Sequence, residues 1–275
     1  MTTPIQLFAE VFVTGPAVAL SILVTALIAR SSGAIGRDQN IYVVGGALVL
    51  AAWLAVSTAI AAAGGVSPAV TGNFALAVLA LTLALPLAVG VIVGLTSSSI
   101  RRLISQSDIQ PGVIAVHALR IIPGSVFVVM AAVGVLPAIF AVPSGLGDVL
   151  AGSAALLASR WITSGRWGRV LIWNVFGLLD FINAAVLGIA TAPGPLHALQ
   201  TSPTSALLLT QPLAIVVTFM VPVYTLLHLV SVRYLVASRR KATFAQAVKL
   251  EPDRPLEIDA GAGGGGRGRV GPEAE

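Results

Sequence analysis

The sequence predicts an all-α bundle that crosses a membrane seven times. Three features carry this: seven apolar stretches of spanning length, basic residues confined to alternate loops, and very little charge elsewhere. Of 275 residues, 56% are hydrophobic and only 10% are charged, against roughly 25% charged in soluble domains. Mean hydropathy is +0.94.

About 20 apolar residues cross some 30 Å of hydrocarbon at 1.5 Å per residue. That criterion gives spans at about 11–29, 41–63, 73–96, 111–134, 138–159, 170–191 and 209–232. The first follows MTTPIQLFAEVF, which lacks the basic n-region of a secretory signal, so it reads as a retained span. Residues 1–236 form a single transmembrane domain. Residues 237–275 differ in character: RRKATFAQAVKL suits a short helix along the headgroups, and the Gly-rich remainder has too little apolar surface to fold.

Charge sets the orientation. Arg30 and Arg37 fall in the first loop, Arg101 and Arg102 in the third, Arg160, Arg166 and Arg169 in the fifth, and eight more basic residues follow the last span. The second, fourth and sixth loops (GVSPAVTG, VLPA and APGPLHALQTSPTSA) hold none, and the sixteenth, Arg120, lies within span 4. The positive-inside rule therefore places the C-terminus in the cytoplasm and the N-terminus outside, which requires an odd number of spans. The net charge of +5 is explained by anionic lipid headgroups; with almost no aromatic interleaving it does not indicate nucleic acid.

Spans 1 to 3 are bland, whereas spans 4 to 7 carry His117, Arg120, Asp148, Asn174, Asp180, Asn183 and His228. Taking span centres near 122, 148 and 180, Arg120, Asp148 and Asp180 lie within roughly 4 Å of the midplane. Three unpaired charges there cost on the order of 8 to 10 kcal/mol. Mutual pairing removes most of that cost. Two carboxylates against one guanidinium leave one negative charge over, so a proton on an Asp or on His117 completes the balance. His117, Asn174 and His228 fall roughly 8 to 11 Å toward the cytoplasm, which predicts a polar cavity that opens inward. The outer half beyond Asn183 is almost wholly apolar. Pro123-Gly124, Pro143, Pro212 and Pro222 interrupt the helices beside these groups, as at transporter sites where freed backbone helps hold a solute. Small residues at 144, 145, 152 and 155, and at 177, 184 and 188, predict close packing of spans 5 and 6.

The segment from IQPGVIAVHALRIIPGSVF through LPAIFAVPSGLGDVLAG and WNVFGLLDFINAAVLG to VPVYTLLHLVSVRYL, residues 109–236, resembles a group of uncharacterised bacterial multi-pass membrane proteins. The resemblance implies the bacterial inner membrane and no particular chemistry. GLGD, residues 145–148, is similar to the GxGD of intramembrane aspartyl proteases, but Asp180, the other in-span aspartate, follows that motif instead of preceding it. Both lysines lie in the tail, which excludes an in-bundle retinal Schiff base. A b-type haem on His117 and His228 is a further alternative. Zero cysteines exclude thiolate metal and disulfide chemistry. There is no zinc-protease, hydrolase or phosphate-loop motif.

These observations favour a small-solute transport or channel-like role with a proton-binding Arg/Asp/Asp cluster. The alternative is a membrane assembly or sensor protein whose buried polar residues are structural. An enzyme is the less favoured class. No cofactor or metal is implied, the partners are the lipid bilayer and a small solute or protons, and a homo-oligomer is compatible with the pattern.

Overall fold

In the computed structural model, residues 4–32, 39–64, 75–194 and 197–250 are described. Among them there are no strands. Seven helices are long and apolar enough to span a membrane: Gln6–Ser32, Asn40–Ala62, Ala77–Thr96, Gln110–Ala132, Ala138–Thr163, Trp167–Thr191 and Val216–Arg240, numbered here as spans 1 to 7. A short helix, Ser98–Ile104, lies between spans 3 and 4 and is capped by the Ser97 side chain, which accepts from the Ile100 N–H. The chain divides into one unit, Met1–Ala237, and a second, Ser238–Glu275. A helix runs Val221–Leu250. The Gly-rich tail expected to be disordered, 251–275, lies outside the described residues.

Spans 4 and 7 are central, each 56% buried over its most apolar window, whereas spans 2 and 3 are only 6% buried. The main core gathers Phe127, Met130, Phe140, Phe219 and Tyr224, joined by Val13, Ala17 and Leu20 of span 1. Lipid tails are as apolar as leucine, so sequestering apolar surface gives little drive for helices to associate in a bilayer. Close backbone approach and polar contacts have to do it. Gly124 and Gly145 supply the closest approach, between spans 4 and 5: a Cβ built on Gly145 would lie 2.5 Å from the Gly124 carbonyl oxygen. Ala151, Ala155 and Ala158 of span 5 likewise have no exposed surface.

Proline shapes spans 4 and 7. Pro123 has no N–H, which deprives the Leu119 carbonyl of its helical donor. The chain before it, Val116–Arg120, tightens into a 3₁₀ stretch. Residues three apart eclipse in that geometry, so His117 and Arg120 are brought onto one face. Pro222 similarly frees the Thr218 carbonyl, and span 7 opens with a π-helical turn over Val216–Met220. Span 2 covers that carbonyl: the Trp53 indole donates to it at 2.9 Å and the Ser57 hydroxyl at 3.3 Å. Pro212 falls before the helix, not within it, so span 7 begins later than its apolar run suggests. Gly134, at φ 71°, ends span 4 in the left-handed region, and the Val135 and Leu136 N–H groups return to the Met130 carbonyl.

Backbone atoms at the Gly124–Gly145 contact cannot move aside as a flexible side chain does. Gly145→Ala is therefore expected to cost about 1–3 kcal/mol, read as a lower unfolding midpoint in detergent. Gly94→Ala, whose new methyl has nothing within 4 Å, leaves the midpoint unchanged.

Candidate functional site

Arg120 ends the 3₁₀ stretch of span 4 with no exposed surface and is the largest fully buried side chain. A guanidinium keeps its charge inside a protein, so its surroundings must supply acceptors. Nε donates to Asp148 Oδ1 on span 5 at 2.7 Å, and Nη2 donates to Asp180 Oδ2 on span 6 at 2.6 Å. Nη1 lies 3.3 Å from Nε2 of His228 on span 7. The Phe181 ring covers one face of the ion, 4.1 Å from Cζ. Four helices thus meet at one side chain.

Hydrogen bonding fixes the next group outward from the ion. The Asn174 amide nitrogen donates to the Val170 carbonyl at 2.9 Å and to the Ser231 hydroxyl at 3.0 Å. Its oxygen must then accept from His228 Nδ1, which lies 2.9 Å away. That assigns the His228 proton to Nδ1 and leaves the Nε2 lone pair facing the guanidinium. His117 behaves differently. Its ring packs 4.1 Å from the His228 ring and 5.0 Å from those of Trp173 and Tyr224, yet neither nitrogen has a hydrogen-bond partner. The Tyr224 hydroxyl and the Ser144 hydroxyl are also buried without one.

Glycine makes room for the cluster. A Cβ on Gly147 would overlap the Asp180 carboxylate, and one on Gly177 would overlap the His228 imidazole and come within 3.2 Å of Arg120 Nη1. The Trp173 indole ties spans 5 and 6 together beside the cluster by donating to the Ala151 carbonyl at 2.9 Å.

Of the residues singled out in the sequence, Arg120, Asp148, Asp180, Asn174 and His228 form one network, with the His117 ring packed against it. The two depths expected from residue counting merge into a single connected cluster. Asn183 does not join it: the residue is exposed on the outer face of span 6. Asp180 sits at the edge of the buried face, and a three-residue step turns the helix by about 300°, which carries Asn183 past that edge. The expected inward-opening cavity is likewise not seen in this conformation. His117, Asn174 and His228 have no exposed surface, whereas Asp148 and Asp180 retain 9% and 8%. A cavity of about 430 Å³ does occur toward the basic loops, but it is apolar, lined by residues such as Leu27, Gly46, Leu103, Val113 and Leu227, and does not include the cluster.

Phe181, Ser231 and Tyr224 were not singled out in the sequence. Ser231 lies one turn from His228 on the same face, and Phe181 adjoins Asp180; both signals were there to be read. The haem alternative does not fit the geometry. Rings tilted at 44° with centroids 4.1 Å apart leave no space for a porphyrin between His117 and His228. Among the described residues no group of His, Asp and Glu is arranged to hold a metal. Asp148 of the GLGD sequence and Asp180 each bond a different nitrogen of one guanidinium.

A domain of unknown function, DUF8737, matches residues 76–236, more than half of the chain. The chain belongs to the DUF8737 family. The match reaches further toward the N-terminus than the resemblance over 109–236: it takes in span 3 and includes every residue of the Arg120 network, leaving spans 1 and 2 outside. No curated protein and no solved structure matches the chain.

Removing Arg120 alone strands two carboxylates. Arg120→Met is expected to destabilise the bundle by about 3–5 kcal/mol, and adding Asp148→Asn and Asp180→Asn to recover most of the loss. Thermal unfolding of the single and triple variants in detergent measures both steps.

Proposed function

We propose that this DUF8737 member is a transport or channel-like protein of the bacterial inner membrane, in which the Arg120–Asp148–Asp180 cluster binds and releases a proton as a small solute moves. One observation carries the reading: two carboxylates, each less than a tenth exposed, bond one guanidinium, and with both acids ionised one negative charge is left over. A bound proton balances that charge. The unpartnered nitrogens of His117, packed on the same network, give such a proton a neighbouring site. Ionisable groups within spans commonly mark proton and solute pathways, and the proline interruptions of spans 4, 5 and 7 supply points at which the helices bend. The basic loops face the cytoplasm in this reading, and the conformation described is the one closed on that side.

A second reading is favoured by the absence of exposed surface at His117, Asn174 and His228. In it the protein is a membrane assembly or sensor component, and the same network only fixes how spans 4 to 7 pack.

The two readings diverge in Asp148→Asn and Asp180→Asn. If the cluster binds a proton, infrared difference spectra taken across a pH titration show a carboxyl band in the parent protein that each variant alters. Proteoliposomes carrying an entrapped pH dye then relax an imposed pH gradient faster with the parent than with either variant, at equal protein abundance. A parent spectrum without a titrating carboxyl, together with variants that only lose stability, overturns the proton reading in favour of the structural one.

A further inference from the structure

Asn183 is the residue that the Arg120 network leaves out. Span 6 runs Trp167–Thr191, so its midpoint is near residue 179 and Asn183 lies only about 6 Å beyond it along the axis. That depth is well inside a hydrocarbon layer about 30 Å thick. The residue is exposed, and its carboxamide has no hydrogen-bond partner among the described residues. A short side chain at this depth cannot reach the headgroups, and an amide facing lipid tails with its donors and acceptor unmet is unfavourable.

The residues around it form a pattern. Ile172, Phe176, Leu179 and Val186 are exposed, at 71%, 41%, 57% and 60%. With Asn183 they follow one another at steps of four, three, four and three residues. That is the a/d spacing of a left-handed helix pair, and a single Asn in such a seam sets register and partner number. The seam is turned away from Asn174 and Gly177, whose side of span 6 is occupied by spans 4, 5 and 7, and Asp180 lies at the edge between the two, about 60° around the helix from Asn183.

We propose that span 6 packs against span 6 of a second copy of this chain across a two-fold axis, with the two Asn183 carboxamides hydrogen-bonded to each other. The chemistry selects the same chain as partner. A carboxamide has a donor end and an acceptor end, so two of them related by a two-fold axis satisfy one another with no further polar residue, and a two-fold contact uses the same patch on both copies. The inference is independent of the proton reading, because no member of the Arg120 network takes part.

The absence of cysteine makes the test direct. Leu179→Cys, in the seam, is expected to form a disulfide-linked species of twice the chain mass when membranes are oxidised. Leu157→Cys, exposed on span 5, is expected not to. Adding Asn183→Val should weaken association by about fivefold, measured by energy transfer between labelled copies in liposomes, with the thermal unfolding midpoint unchanged. Three results overturn the proposal: no adduct from Leu179→Cys, an adduct of a mass other than twice the chain, or association that Asn183→Val leaves untouched.

Discussion

A guanidinium in hydrocarbon constrains everything around it. Arg120 cannot lose its charge and, near the middle of span 4, is too deep for its side chain to reach water, so neighbouring helices must bring acceptors to it. Spans 5, 6 and 7 each contribute one, and Phe181 covers a face. The azimuth of each of those helices is fixed in consequence. A rotation of one residue step, about 100°, would carry Asp148 or Asp180 out of reach and leave a bare charge in the lipid. In an environment where apolar contact discriminates little between arrangements, this cluster selects one.

Two further devices make the arrangement attainable. Glycine is used as clearance: Gly147 and Gly177 occupy the places where a side chain would collide with Asp180 and His228, and Gly124 faces Gly145 so that spans 4 and 5 can meet at backbone distance. Proline is used to reshape the helices locally. Pro123 precedes no new turn and leaves span 4 continuous, yet the 3₁₀ stretch before it places His117 and Arg120 on a common face. Both devices act on the same few residues, which is why the polar network and the closest packing coincide.

Much of this was legible in the sequence. Seven spans and the meeting of Arg120 with Asp148 and Asp180 follow from counting apolar residues and matching depths; the small residues also mark a close contact, but Gly145 and Gly152 close against span 4 and not against span 6. What escaped shares one cause, in that depth along a helix says nothing about direction around it. Asn183 has the right depth and the wrong azimuth. Asn174 and His228 were placed at a separate level, because the hydrogen bond from Arg120 to His228 depends on how spans 4 and 7 lean together. Span 7 begins at Val216, not near 209, because hydropathy counts Pro212 and its neighbours as ordinary residues and does not register a missing N–H. The inward cavity is absent here for a related reason: depth does not show that His117, Asn174 and His228 turn inward and pack closely against their neighbours.

The bond between Trp53 and the Thr218 carbonyl has a bearing on how the family segment is delimited. That oxygen is exposed by Pro222, inside residues 76–236, but both of its donors, Trp53 and Ser57, belong to span 2 and lie upstream of the matched region. Val13, Ala17 and Leu20 of span 1 are likewise sealed within the core. In this protein the matched block is therefore not autonomous: cut free of its first two helices, it would present an unquenched carbonyl dipole to the acyl chains, and the leading hairpin is better regarded as a lid on the backbone than as an appendage.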